Sequence, residues 1–278
     1  MAEDATNFNP AGSLPAMRLL EGTKVIDLSS LMAGPYCSML LADLGAEVIK
    51  VEHPKGGDPV RMLGPPFTNG QSCLFLSLNR NKKGLALDIG RPEGQRVLYR
   101  LIKKADVVLE NFLPEVVERM GISYETISGI RPEIIFCSIS PFGHEGPLKN
   151  KPGTDPIFQG MGGIMMLNGT PWMPPIRIGF PVADITAGVF AACAITSSLL
   201  FRERFGKGNK LDISIFHSLL ALQTPRIAEF LGTGKNPKRL DRSSAFATPS
   251  QYFETLDGYV NVSAFSNKFW KKLCKVLE

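Results

Sequence analysis

The strongest constraint on the fold is a hydrophobic period that switches back and forth between strand-like and helix-like along the first half of the chain. Residues 23–28 (TKVIDL) are a short apolar run, a Gly-Pro break follows, YCSMLLADLG has helical spacing, and EVIKV at 47–51 is again strand-like. Strand, helix and strand within about thirty residues form a βαβ unit, which requires a parallel pair and a right-handed crossover. The alternation continues with LALDI (85–89) as a strand, PEGQRVLYRLIKKA (92–105) as a helix and DVVLENF (106–112) as a strand. Two short helical segments, PEVVERMG and SYETISGI, precede a further strand, EIIFCSIS. The helix at 92–105 opens with Pro-Glu and closes with Lys103 and Lys104, charges that suit the helix dipole. The pattern predicts an α/β protein with a Rossmann-like open parallel sheet, helices on both of its faces, and the start of a smaller α+β domain.

Beyond Asp155 the sequence is more helical. Asp184 stands at the N-cap position of an apolar helix, ITAGVFAACAITSSLLFRERFG, and KLDISIF then reads as a strand. HSLLALQTPRIAEFLG reads as a helix interrupted near Pro225, and GTGKNPKRLDRSS as a polar, basic connection. A hairpin centred on Asp257-Gly258 and a helix, NKFWKKLCKVLE, follow. The expected organisation is a flexible arm at 1–17, a large domain at 18–225, a linker at 226–248, and the incomplete beginning of a small domain at 249–278.

Several function classes are set aside by composition. The net charge of +5 comes without a basic stripe or basic-aromatic interleaving, so nucleic acid is not an expected partner. The apolar run AGVFAACAITSSLLF stops at Arg202, short of a membrane span, and the N-terminus lacks a secretory signal. The five cysteines are widely spaced with no CxxC pair, and none of the three histidines is adjacent to another in sequence. Neither a metal site nor a disulfide framework is expected; each cysteine reads as a small buried hydrophobe in a cytoplasmic protein. No GxGxxG fingerprint, Walker A loop, HExxH or GxSxG elbow occurs; the turn after the first strand is SSLMAGPY. Open α/β sheets bind ligands at the carboxyl ends of their strands. The polar candidates there are Ser29 to Gly34, His53, Asn111 with Phe112, and Ser138 to Gly143.

The runs DLSSLMAGPYCSMLLADLGAEVIKVEHPKGGDPVR, LNRNKKGLALDIGRPEG, ADVVLENFLPEVVERMG, ISPFGHEGP, GTDPIFQGMGGIMMLNG and PPIRIGFPVADITAG occur in that order. In order and spacing they resemble the class III CoA-transferase family over residues 18–278. The resemblance implies transfer of CoA from an acyl-CoA thioester to a free carboxylic acid, with coenzyme A as substrate, no permanently bound cofactor and no metal. It assigns the nucleophile to Asp184, through an aspartyl anhydride and an aspartyl-CoA thioester. An ordinary N-cap role for Asp184 stays open and is compatible with catalysis. Asp155 competes with it, with a turn or cap role as the simpler reading.

Carried over residue by residue, the resemblance places Leu31, Met32 and Ala33 against the pantetheine and acyl end of CoA. A formyl-CoA transferase has Gln where Met32 stands. His53 takes the place of an adenosine-contacting arginine, with loop capping as its alternative, and Leu87 matches an apolar contact near the adenine. Gly90 replaces a lysine, leaving Arg91 as a substitute phosphate partner. Asn111 and Phe112 match a pair lining the CoA channel, and Arg119 with Met120 match a pair on the next helix; core packing or a solvated face are the alternatives for these. Thr154 stands where the acyl-CoA racemases of the family have a catalytic His, which disfavours that rival. Family members continue past Glu278 and form interlocked homodimers. The expectation is therefore a fragment or short form of such an enzyme, with a non-catalytic CoA-binding remnant as the alternative. Trp172 and Arg177, ahead of Asp184, are candidates for shaping the acid pocket.

Overall fold

The computed structural model describes residues 18–239 and 249–277. The expected arm at 1–17 and residues 240–248 of the expected linker lie outside these. In chain order the first elements are β1 (Lys24–Asp27), α1 (Ala33–Asp43), β2 (Glu47–Glu52), a single 3-10 turn (Pro59–Met62), β3 (Phe67–Thr68), β4 (Gln71–Ser72) and α2 (Cys73–Leu78). Then come β5 (Lys82–Ala86), α3 (Pro92–Ile102), β6 (Val107–Glu110), α4 (Pro114–Arg119), α5 (Tyr124–Ile130) and β7 (Ile135–Ser140). After these follow α6 (Asp155–Met161), α7 (Ile164–Leu167), α8 (Val182–Phe205), β8 (Asn209–Ser214), α9 (Ile215–Leu222) and α10 (Thr224–Thr233). The described chain closes with β9 (Ser250–Glu254), β10 (Tyr259–Ser263) and α11 (Asn267–Leu277).

The chain divides into two compact units, Met1–Gly153 with Ala183–Ser218, and Thr154–Val182 with Leu219–Glu278. In the first unit six strands form one parallel sheet in the order β5-β2-β1-β6-β7-β8. Numbered along the sheet this is the 3-2-1-4-5-6 order of a doubly wound fold, with its switch point between β1 and β6. The central strands β6 and β7 are buried at every residue, which is why VVLE and IFCSIS read as nearly unbroken apolar runs. One face of the sheet is covered by α3, α4 and α5, whose Leu98, Ile102, Val117 and Ile127 pack with Ile26, Val108 and Phe136. Strand residues of opposite parity, such as Val25, Val107 and Leu109, face the other side, where α1 buries Cys37, Met39 and Leu41.

The strand expected at 85–89 runs instead over 82–86, because Lys82 and Lys83 pair with Val48 and Ile49 while Leu87–Ile89 continues beyond the ladder. Helix α8 begins at Val182, so Asp184 lies inside its first turn and is not its N-cap. By length and composition α8 is apolar enough to cross a bilayer, contrary to the expectation that Arg202 cuts the run short; core helices of soluble proteins share this property. Cys37 and Cys137 are buried as expected, whereas Cys193 is exposed on α8.

In the second unit α10 starts immediately after α9, with Pro225 in its first turn, which accounts for the interruption read from the sequence. It runs to Thr233, so residues 226–233 of the expected linker are helical. The Arg239 guanidinium donates to the carbonyl oxygens of Met165, Met166, Thr170, Met173 and Pro174 and so ties residue 239 to the segment after α6. Strands β9 and β10 form the hairpin expected around Asp257-Gly258, closed by Thr255 N–H donating to the Gly258 carbonyl at 2.8 Å.

Candidate active site

At the switch point the carboxyl ends of β1 and β6 are tied to each other. Asn111, just past β6, accepts from Ser30 N–H at 2.9 Å and donates to the Ser30 carbonyl at 2.7 Å. Both ends of its amide are thus used in holding the β1–α1 turn. Above the carboxyl ends of β1, β2, β5 and β6 lies a cleft of about 380 Å³, lined in part by Ser29, Ser30, His53, Asp58, Leu87, Asp88, Gly90, Phe112 and Met120.

Six of the residues picked from the sequence therefore meet in one place: Ser29, Ser30, His53, Leu87, Phe112 and Met120. His53 also caps its own loop. Its Nδ1 accepts from Lys55 N–H at 3.1 Å, which leaves Nε2 to face Asp88 Oδ2 at 3.8 Å. Arg91 stands at the rim, its Nε 3.2 Å from the same carboxylate oxygen. Arg119 is exposed at the end of α4. Leu31 is exposed and has a left-handed backbone (φ 66°), Met32 caps α1 without a side-chain bond, and Ala33 is buried. None of Leu31, Met32, Ala33, Arg91, Asn111, Arg119 or Asp184 is among the residues lining the cleft.

Asp184 is half-buried in the first turn of α8, where the helix dipole favours an anion. One helical turn later, on the same helix face, Gly188 lies against the start of α1. A methyl group there would stand 2.8 Å from the Ala33 carbonyl oxygen and 3.0 Å from the Tyr36 ring. This close approach sets the face of α8 that carries Asp184 beside the β1–α1 turn. The missing side chain of Gly188 is what lets the two helices touch.

Charged residues that the sequence reading passed over underlie the turn. Lys50, in the middle of β2, is buried and donates to the Ser29 carbonyl at 2.8 Å. It pairs with buried Asp58 at 2.9 Å. Asp58 Oδ1 accepts from Leu31 N–H at 3.2 Å and from Val60 N–H at 3.0 Å. Below them buried Asp27 accepts from the Ser29 and Ser38 hydroxyls and lies 3.4 Å from Lys82 Nζ. Burial alone would raise the Asp27 carboxyl, but the ammonium groups of Lys50 and Lys82 and the two hydroxyls outweigh it and hold it below the usual carboxylate range. Burial brings the Lys82 ammonium down to about 8, against the pull of Asp27. A lysine inside the strand-like run EVIKV was a signal available in the sequence, since parallel strands covered on both faces carry few charges.

Of the polar group at 138–143, the Ser138 hydroxyl is 2.6 Å from His144 Nε2. The neighbouring Glu110 is pushed up to about 7 by burial, against the Ser138 hydroxyl and the Phe112 N–H, which donates to Oε2 at 2.7 Å. In the second unit Asp155 opens α6 and accepts from Gln159, whose Oε1 in turn accepts from Ile178 N–H at 2.9 Å. Asp155 and the exposed Arg177 line a separate cleft of that unit. Trp172 is largely exposed.

A doubly wound sheet with a cleft at its switch point and a carboxylate in a helix's first turn beside the first βα turn defines an α/β ligand-binding architecture. Comparison with known proteins makes the class specific. The chain belongs to CoA-transferase family III, whose profile matches residues 20–278. It is 41% identical over 268 residues to the succinyl-CoA:glutarate CoA-transferase of Mus musculus, covering 96% of this chain and 62% of that protein. With the acetyl-CoA:oxalate CoA-transferase of Acetobacter aceti it shares 39% identity over 259 residues, 92% of this chain and 66% of that one. A CAIB/BAIF family protein from Brucella suis has the same fold at a TM-score of 0.85 and 38% identity, over 93% of this chain and 69% of the other. The chain thus spans about three fifths of the length of the mouse relative.

Proposed function

We propose that this chain carries the CoA-binding and nucleophilic part of an acyl-CoA:carboxylate CoA-transferase. The observation that carries the reading is the placement of Asp184 in the first turn of α8, on the helix face that Gly188 presses against the start of α1. Family membership supports the same role. The Asp184 carboxylate attacks the thioester carbonyl and expels CoA thiolate, forming a mixed anhydride. The thiolate attacks the Asp184 carbonyl of that anhydride, releasing the donor acid and leaving an aspartyl-CoA thioester. The acceptor carboxylate repeats the attack and expels the thiolate, which takes the new acyl group and restores Asp184. Over the whole cycle one CoA thioester replaces another, so it needs no net input beyond the donor thioester.

In this reading Leu31, Met32 and Ala33 flank the acyl end, and Asn111 holds the preceding residue, Ser30. His53, Leu87, Phe112 and Met120 shape the cleft for the nucleotide end, with Arg91 and Arg119 as cationic partners for phosphate. The acids are small dicarboxylates, as the names of the relatives support, and the working form is a cytoplasmic homodimer.

The test is trapping with hydroxylamine during incubation with succinyl-CoA, glutaryl-CoA, acetyl-CoA or oxalyl-CoA. A hydroxamate at Asp184, found by peptide mass mapping, is the expected result. Asp184→Asn should form none and lose transfer by about a thousandfold or more. Absence of the hydroxamate with every donor contradicts the reading.

A further inference from the structure

We infer that the buried ion pair Lys50–Asp58 is a positioning device for CoA transfer, one that touches no substrate and holds the β1–α1 turn in the shape the reaction needs. The inference rests on the proposed function and adds residues to its machinery. Each of three successive residues in the turn is gripped by a side chain from elsewhere in the first unit. Lys50 Nζ, from β2, donates to the Ser29 carbonyl at 2.8 Å. Asn111, after β6, binds both the N–H and the carbonyl of Ser30. Asp58, from the loop before the 3-10 turn, accepts from Leu31 N–H at 3.2 Å while its other oxygen meets Lys50 at 2.9 Å.

The grip is needed because the turn is not in a relaxed conformation. Leu31 has a φ of 66°, a region that a residue with a Cβ rarely occupies without outside support. Relaxation of Leu31 to negative φ would turn the next peptide and move the first turn of α1. That first turn carries the Ala33 carbonyl against which Gly188 of α8 rests, one helical turn from Asp184. Slack at Leu31 is therefore passed on to the spacing between turn and nucleophile. The loop bearing Asp58 is itself anchored, since Asp58 N–H donates to Glu52 at 2.8 Å and Glu52 holds Arg61 through two bonds. A lysine and an aspartate this deeply buried are costly unless their geometry does something else, and replacing such pairs by apolar residues is often neutral for stability.

The experiment uses the 278-residue chain with Lys50→Met, Asp58→Asn and the double substitution. Asp58→Asn keeps an acceptor for the Leu31 and Val60 amides, and it breaks the pair by removing the charge and setting an amide NH2 where Lys50 now meets an oxygen. Three quantities are read: kcat and KM for the acyl-CoA donor, melting temperature, and hydrogen exchange at the Leu31 amide. Positioning predicts that each single variant loses at least tenfold in kcat with a smaller change in KM, and that Leu31 exchanges at least tenfold faster. The double variant should lose less than the product of the singles, because the orphaned partner is gone. If Lys50→Met does not fold, Asp58→Asn alone still decides through kcat and exchange. A fall in melting temperature with kcat and Leu31 exchange within twofold of wild type overturns the inference and leaves the pair a purely structural feature. Should the wild-type chain transfer no CoA at all, it is the proposed function that fails; exchange at Leu31 then still reports whether the pair holds the turn.

Discussion

Glu110 shows how a single buried residue can make the stability of the fold depend on pH. Its carboxyl sits at the end of β6, next to the Asn111 and Phe112 positions, and burial raises it from an ordinary 4.5 to about 7. A group raised in the folded state contributes stability that is full below its unfolded value and is lost as pH rises through its folded value. Ionisation of Glu110 therefore costs the fold nothing below about pH 4.5, and above about pH 7 it lowers stability by on the order of 3 kcal/mol for a shift of this size. Glu110→Gln keeps an acceptor for Phe112 N–H and removes the ionisation. The variant should be more stable than wild type at pH 8, with the advantage disappearing below pH 5, as urea denaturation across that range would show. An advantage that does not vary with pH would mean that Glu110 does not titrate in this window.

Between elements, the contact of α8 with α1 depends on one missing side chain. Replacing a helical glycine by alanine gains up to about 1 kcal/mol in propensity. At Gly188 the added methyl would press on the Ala33 carbonyl at 2.8 Å, and backbone cannot move aside as a side-chain tip can. Overpacking of this kind costs about 1–3 kcal/mol, so the net effect should be destabilising. Gly129 in α5 is the control, since a methyl there meets nothing within 4 Å. Gly129→Ala should stabilise by about 0.5–1 kcal/mol. Equilibrium unfolding of both variants compares the two signs directly. Gly188→Ala should also reduce hydroxamate formation at Asp184, because parting the helices moves the nucleophile from the β1–α1 turn; unchanged trapping would show that this spacing is not critical.

For the molecule as a whole, the two units differ in how well they cover their apolar residues. The first closes a sheet between two layers of helices. In the second, the hairpin and α11 leave Leu256, Tyr259, Phe265, Phe269, Trp270 and Val276 exposed, and α11 buries no residue at all. An apolar surface of that extent drives association. The isolated chain should bind an apolar fluorescent dye in its native state and gain mass with concentration in sedimentation velocity. A monomer that binds no dye over the whole concentration series would rule this out.

The doubly wound sheet was legible because strands buried on both faces are written as short unbroken apolar runs, and amphipathic helices between them leave few topologies. The βαβ opening, the hairpin at Asp257-Gly258 and the break at Pro225 depend on local chemistry of this kind and appear where they were expected. The likeness to class III CoA-transferases, carried by successive motifs, was equally a property of the sequence. Local pattern did not reveal that the second unit takes residues 154–182 together with 219–278, because membership of a unit depends on contacts far apart in the chain. Nor did it reveal that Asn111 spends both ends of its amide on Ser30, that Gly188 is a contact point between helices, or that Lys50 and Asp58 neutralise each other beneath the turn. A buried charge is recognisable in sequence only as an anomaly. Its partner is chosen by the sheet order and the loop that brings it within 2.9 Å, and only the tertiary structure decides that.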